Sequence, residues 1–99
     1  MYKVDIEEKE KLPSGWIFEV VVLDGDESSN HEVELTSSDY EELTDSQVSP
    51  ERLIEKCFEF LLAREEKENI LAEFNVTEIK LYFPEFDEVI SEMLVGVDQ

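Results

Sequence analysis

Positive charge is scarce in this chain: 8 lysines and arginines stand against 27 aspartates and glutamates in 99 residues, a formal net charge of −19. Phosphate backbones and anionic lipid headgroups are held by positive surfaces, so the expectation is no direct nucleic-acid binding and no membrane docking. Cys57 is the single cysteine, which excludes an intrachain disulfide and a thiolate metal cluster. His31 is the single histidine, too few imidazoles and thiols for a zinc site of three or four such ligands. Gly15, Gly25 and Gly96 stand apart, so no glycine-rich loop leads into a helix to cradle a phosphate. The longest unbroken apolar runs are four residues, as in Val20-Val21-Val22-Leu23, against about 20 for a membrane-spanning helix. The opening residues alternate and carry charge, unlike a signal peptide, and the expected location is a reducing cytoplasm.

What is present suffices for a core. Apolar residues make up 41% of the chain, aromatics 10%, and this length fits a single domain over residues 1–99. Tyr2, Val4 and Ile6 alternate with Lys3, Asp5 and Glu7, the period of a half-buried strand. Pro13-Ser14-Gly15 marks a turn, and the β-branched and aromatic run Trp16 to Leu23 predicts a strand buried on much of both faces. Asp24 to Asn30 reads as a hairpin connection, and from His31 to Thr36 the alternation returns with Val33 and Leu35 inward. These segments predict a three-stranded antiparallel meander within residues 2–36.

The period then changes. Ser38-Asp39-Tyr40-Glu41 has capping-box form and predicts a short helix ending near Leu43. Ser49-Pro50-Glu51 is a stronger start, with a capping serine, proline at the first helical position and an acid at the positive end of the dipole. The helix that follows places Leu53, Ile54, Cys57, Phe58, Phe60, Leu61 and Leu62 on one apolar face. Ile70 to Phe74 reads as a further helical turn or two. Asn75 to Phe83 fits both a strand and a helix, and the capping-box spacing of Asn75 and Glu78 favours helix. Phe86, Val89, Ile90 and Met93 form one face of a last helix that Pro84 opens and Gly96 stops. The expected class is α+β: a three-stranded antiparallel meander followed by three to five helices on one face of the sheet.

Tested motif by motif, the chemistry is thin. A Cys57–His31 dyad would need a reactive thiolate, but Cys57 is set among Leu53, Ile54, Phe58 and Leu61 and reads as a buried structural thiol; His31 reads as partly exposed. Asp24, Asp26, Ser28 and Asn30 begin like a calcium loop, yet Ser29 stands where the sharp turn needs glycine and Leu35 where a bidentate glutamate is needed. No catalytic, cofactor-binding or metal-ligating residue is assigned. The most ordered acidic feature is Glu51, Glu55 and Glu59, at four-residue spacing on one helix, with Arg52 and Lys56 beside it. It reads as a docking face for a basic protein or as an ordinary solvated face. Trp16, Tyr82, Phe83 and Phe86 read as core more than as binding anchors; Tyr82 is the one expected near the surface, and it joins the candidate interaction face.

Phe58-Glu59-Phe60-Leu61-Leu62-Ala63-Arg64-Glu65, then Ile70-Leu71 and Phe74, then Tyr82-Phe83-Pro84-Glu85-Phe86, resemble a small family of bacterial and archaeal proteins. Val33 to Thr36, Tyr40 to Thr44 and Ser49 to Leu53 extend the resemblance over roughly residues 31–90. The family has no assigned biochemical function, so the resemblance implies a helix-rich domain and no catalytic residue. The chain departs from it at Ala63, where a polar residue is usual, and at Asp45-Ser46-Gln47, where glycines are common.

Three functions compete. The first is a non-enzymatic interaction or regulatory module whose acidic surface meets a basic protein partner. The second is a domain whose charge serves solubility or salt tolerance. The third is a carboxylate-dependent enzyme, assisted by Mg²⁺ or Ca²⁺ at Asp24, Asp26 and Glu27. The sequence leaves the oligomeric state open.

Overall fold

The computed structural model describes residues 2–44 and 47–97, so the Asp45-Ser46 part of the loop departure lies outside the described residues. Three ten-residue strands, β1 (Lys3–Leu12), β2 (Gly15–Asp24) and β3 (Glu27–Thr36), form the expected antiparallel meander. Gly15 is needed at the first turn: a Cβ there would lie 2.2 Å from the Leu35 carbonyl oxygen of the neighbouring strand. The second turn is only Gly25 and Asp26, with Gly25 in the left-handed region at φ 64°. The hairpin connection is therefore shorter than the polar stretch Asp24 to Asn30. Ser28, Ser29 and Asn30 belong to β3, which begins at Glu27 rather than His31.

Two helices follow. α1 (Ser37–Thr44) is capped by Thr36, whose hydroxyl accepts from the Asp39 N–H at 3.1 Å, two residues ahead of the expected cap. α2 (Pro50–Leu62) begins as its sequence dictates, with the Ser49 hydroxyl accepting from the Arg52 N–H at 3.2 Å and proline at the first position. Its apolar face, Leu53, Ile54, Cys57, Phe58, Phe60 and Leu61, is buried against the inner face of the sheet, where Phe18, Val20, Val22, Val33 and Leu35 lie.

The segment after α2 departs from expectation. Ile70 to Phe74 forms no helical turns. A short 3₁₀ turn at Lys67–Asn69 leads into β4 (Glu73–Asn75), which pairs parallel to β3 and completes a mixed sheet of order β1-β2-β3-β4. The physical reason is pairing with a distant strand: the Glu32 N–H donates to the Ala72 carbonyl at 2.7 Å, and His31 donates to the Leu71 carbonyl at 2.8 Å. α3 (Val76–Tyr82) resolves the ambiguous stretch as helix, with Asn75 and Glu78 making the full capping box. α4 (Phe86–Val97) continues through Gly96, which does not stop it; one helical glycine costs only about 1 kcal/mol relative to alanine.

The class is α+β, with four strands and four α-helices among the described residues. Phe60 links α2 to the last two helices, its ring meeting Phe83 and Phe86 edge-on at 5.6 and 5.1 Å between centroids. No helix among the described residues is long and apolar enough to cross a membrane.

Candidate functional site

The face of the sheet opposite the helices is open. The pleat sends Ile17, Glu19, Val21 and Leu23 of β2 to this side, and the apolar three are only half-buried, so β2 is not covered on both faces as its composition suggests. Cross-strand register then does what no single strand reveals. Glu7 lies opposite Glu19, Glu19 opposite Glu32, and Glu32 opposite Glu73. Four glutamates thus form one row across all four strands, with neighbouring strands about 4.8 Å apart. Asp5, Glu10 and Glu34 flank the row on the same face.

One ammonium reaches into it. A register shift in β1 between Glu8 and Glu10 sets off Lys9, whose Nζ donates to Glu32 Oε1 at 2.6 Å. That hydrogen bond, with the nearby charges of Glu32, Glu19 and Glu73, holds the Lys9 ammonium above the ordinary lysine range. Three of the four glutamates in the row, Glu32, Glu19 and Glu73, thus contribute to holding this one cation.

The acidic face ends at a cleft of about 250 Å³ beside β4, lined by Ile17, Glu32, Glu34, Glu73, Asn75 and Glu78. Phe74 and Glu78 also line a second, apolar groove of about 290 Å³, between the end of α2, the segment at Ile70 and Leu71, and α3. Tyr82 and Leu71 line it while 67% and 47% exposed. Tyr82 thus stands at the surface as expected, whereas Phe86 is buried and Trp16 and Phe83 pack against the core.

The other sequence candidates lie elsewhere. Glu51 and Glu59 are exposed on α2 and Glu55 is half-buried; Arg52 pairs with Glu55 at 2.9 Å and Lys56 with Glu59 at 3.1 Å. Glu51 stands ten residues ahead of the groove-lining Leu61, about 15 Å along the helix. The ridge and Tyr82 are therefore not one compact site.

His31 is buried, not partly exposed. It occupies an inward position opposite Val20, where its Nδ1–H donates to the Leu71 carbonyl and its Nε2 lies 2.7 Å from the Ser29 hydroxyl. The Nδ1 contact holds Leu71 in the groove wall, and the Nε2 contact ties the ring to Ser29 on its own strand. Cys57 is fully buried, and burial pushes its thiol far above the ordinary range.

The Asp24–Glu27 hairpin is tied to the core by Lys67, a buried side chain whose Nζ lies 2.8 Å from both Glu27 and Glu68. Hydrogen bonds to these two carboxylates raise the Lys67 ammonium, and the same contact lowers Glu68. Glu27 is thereby engaged and Ser28 to Asn30 are strand, so the loop lacks a calcium-binding shape. Among the described residues no group of three His, Cys, Asp or Glu side chains is placed to hold a metal.

The sequence reading missed the glutamate row and both concavities. Alternation sets Glu7 and Glu32 against the inward residues of their strands, but Glu19 lies in a run that does not alternate, the alignment of the three depends on register, and Glu73 lies in the unexpected strand. No family model, curated protein or solved structure matches the chain.

Proposed function

We propose that this protein is a non-enzymatic docking module that binds a basic protein partner through the open, acidic face of its sheet. The observation that carries this reading is the row Glu7, Glu19, Glu32 and Glu73. Directly opposed like charges destabilise a sheet, so a row of four is a structural cost that a cationic partner would offset. Sheet faces also hold side chains more rigidly than long loops, which suits recognition by position as well as by charge. The α2 ridge of Glu51, Glu55 and Glu59 is the second candidate face. It is the weaker one, because Arg52 and Lys56 pair with two of its three glutamates, whereas Lys9 pairs with one of the four in the row. A basic protein partner, no nucleic acid and no membrane remain the reading of its surface, with the cytoplasm as its place of work.

The test is capture from the native lysate at about 50 and 500 mM salt, where screening lengths differ severalfold. Three baits are compared: the wild-type chain, a sheet-face variant (Glu19→Lys with Glu73→Lys) and an α2 variant (Glu51→Lys, Glu55→Lys and Glu59→Lys). Basic proteins held at low salt by the wild type and the α2 variant, and lost by the sheet-face variant, are the expected result. Loss with the α2 variant alone would move the face to α2. The same proteins recovered by every bait at both salts, or none by any, would sink the electrostatic reading and leave the charge to solubility.

A further inference from the structure

We infer that the apolar groove beside the acidic cleft takes a hydrophobic anchor residue of the basic partner, so that the segment recognised is one large apolar side chain followed by lysines or arginines. The inference rests on the docking reading and adds the chemistry of the bound segment. Its basis is continuity: the groove of about 290 Å³ and the cleft of about 250 Å³ share Phe74 and Glu78. An extended segment can therefore place a side chain in one while its next residues, about 3.3 Å apart, cross the other.

The size of the groove selects its occupant. An apolar cavity of about 150 Å³ holds a benzene molecule, so this one, nearly twice as large, has room for any single aromatic or branched aliphatic side chain. It stands at the lower limit of the range usual for small-molecule sites, about 300–1,000 Å³. Leu71 and Tyr82 stand 47% and 67% exposed at its edge, where an anchor would cover them. Glu65 and Glu78 sit on its rim, and Glu32, Glu34 and Glu73 lie in the cleft beyond. Charge complementarity therefore fixes the sign of the residues next to the anchor. The wall is held in place by the His31–Leu71 hydrogen bond and the α3 cap, so the groove is preformed and needs little ordering on binding.

The probes are four ten-residue peptides, each with five lysines alternating with serines, that begin with leucine, phenylalanine, tryptophan or glycine. Each is titrated into isotope-labelled protein at about 50 mM salt, and backbone amide shifts are followed. The anchored peptides are expected to bind about tenfold or more tighter than the glycine peptide, since burying such a side chain contributes on that scale. They should move the amides of Leu71, Ile79 and Tyr82 together with those of Glu32 and Glu73. In Tyr82→Ala and Leu71→Ser, at exposed positions that leave the core intact, the advantage of the anchor should shrink while the glycine peptide binds as before. Equal affinities for all four peptides, with shifts confined to the acidic face, would overturn the anchor and leave the docking reading standing. No shift with any peptide would overturn both.

Discussion

Glu19 lies directly opposite Glu32 on the open face of the sheet, and the same glutamate faces Glu7 on its other side. Such opposition is destabilising by about 0.2–1 kcal/mol per pair. Glu19→Gln removes both contacts at once and keeps the side chain's size. The melting temperature should rise by a few degrees at low salt, given about 4–8 °C per kcal/mol for a domain of this size. The gain should shrink as salt screens the row in the wild type. Calorimetry at the two ionic strengths checks this, and an unchanged or lower melting temperature at low salt would remove the repulsion argument. The same variant should bind a basic partner less well, a trade of function for stability.

Much of the fold was legible because its signals are local. Ser49-Pro50-Glu51 starts α2 through contacts within four residues, and the Asn75–Glu78 box does the same for α3. Alternation alone marks Val4 and Ile6 of β1 and Val33 and Leu35 of β3 as inward, whereas the near-continuous apolar run of β2 hides which of its faces meets the core. β4 was not legible, since Glu73 to Asn75 becomes strand only because the Leu71 and Ala72 carbonyls ahead of it accept from His31 and Glu32, some forty residues earlier in the chain. The candidate site suffered most, because it exists only in register. A two-residue turn at Gly25 and Asp26 fixes Glu19 opposite Glu32, whereas a seven-residue polar stretch fixes nothing. Tyr82 was readable as exposed, but the groove it lines needs the β4 segment in place.

Phe60 is the point where α2, α3 and α4 are held together, and it is about 1% exposed. Phe60→Ala removes two edge-on ring contacts and the packing surface under the Arg64 guanidinium, whose carbon lies 3.7 Å from the ring centroid. A loss of about 3–5 kcal/mol is expected by urea denaturation, against under about 1.5 kcal/mol for the volume-conserving Leu53→Met in the same helix. Equal losses for the two would mean that the helical layer is not organised around Phe60.

Asn75 ends β4 and caps α3, accepting from the Thr77 N–H at 2.8 Å while the Glu78 carboxylate accepts from its own N–H at 2.8 Å. Asn75→Ala should cost about 1 kcal/mol, the usual worth of such a cap. The effect should be local as well as global: amides of α3 should exchange faster than those of α2. Uniform protection across both helices would show that tertiary packing alone holds α3. The conservative Asn75→Asp variant should restore the cap and the protection.

Cys57 supplies the clearest pH dependence. Its thiol is fully buried, and burial raises it well above the ordinary value of 9.0. In the unfolded chain the thiol ionises near pH 9, while in the folded chain it stays protonated. Above that pH the unfolded state binds fewer protons than the folded one, so stability is fully present below about pH 9 and falls as pH rises. The loss is about 1.4 kcal/mol at pH 10 relative to pH 8. Urea denaturation of the wild type and Cys57→Ala at both pH values isolates this contribution, since every other titration is common to the two. The wild type should lose more stability than the variant over that interval. Parallel pH profiles would mean that the thiol ionises as readily folded as unfolded, and so is not buried under Phe58 and its neighbours on α2.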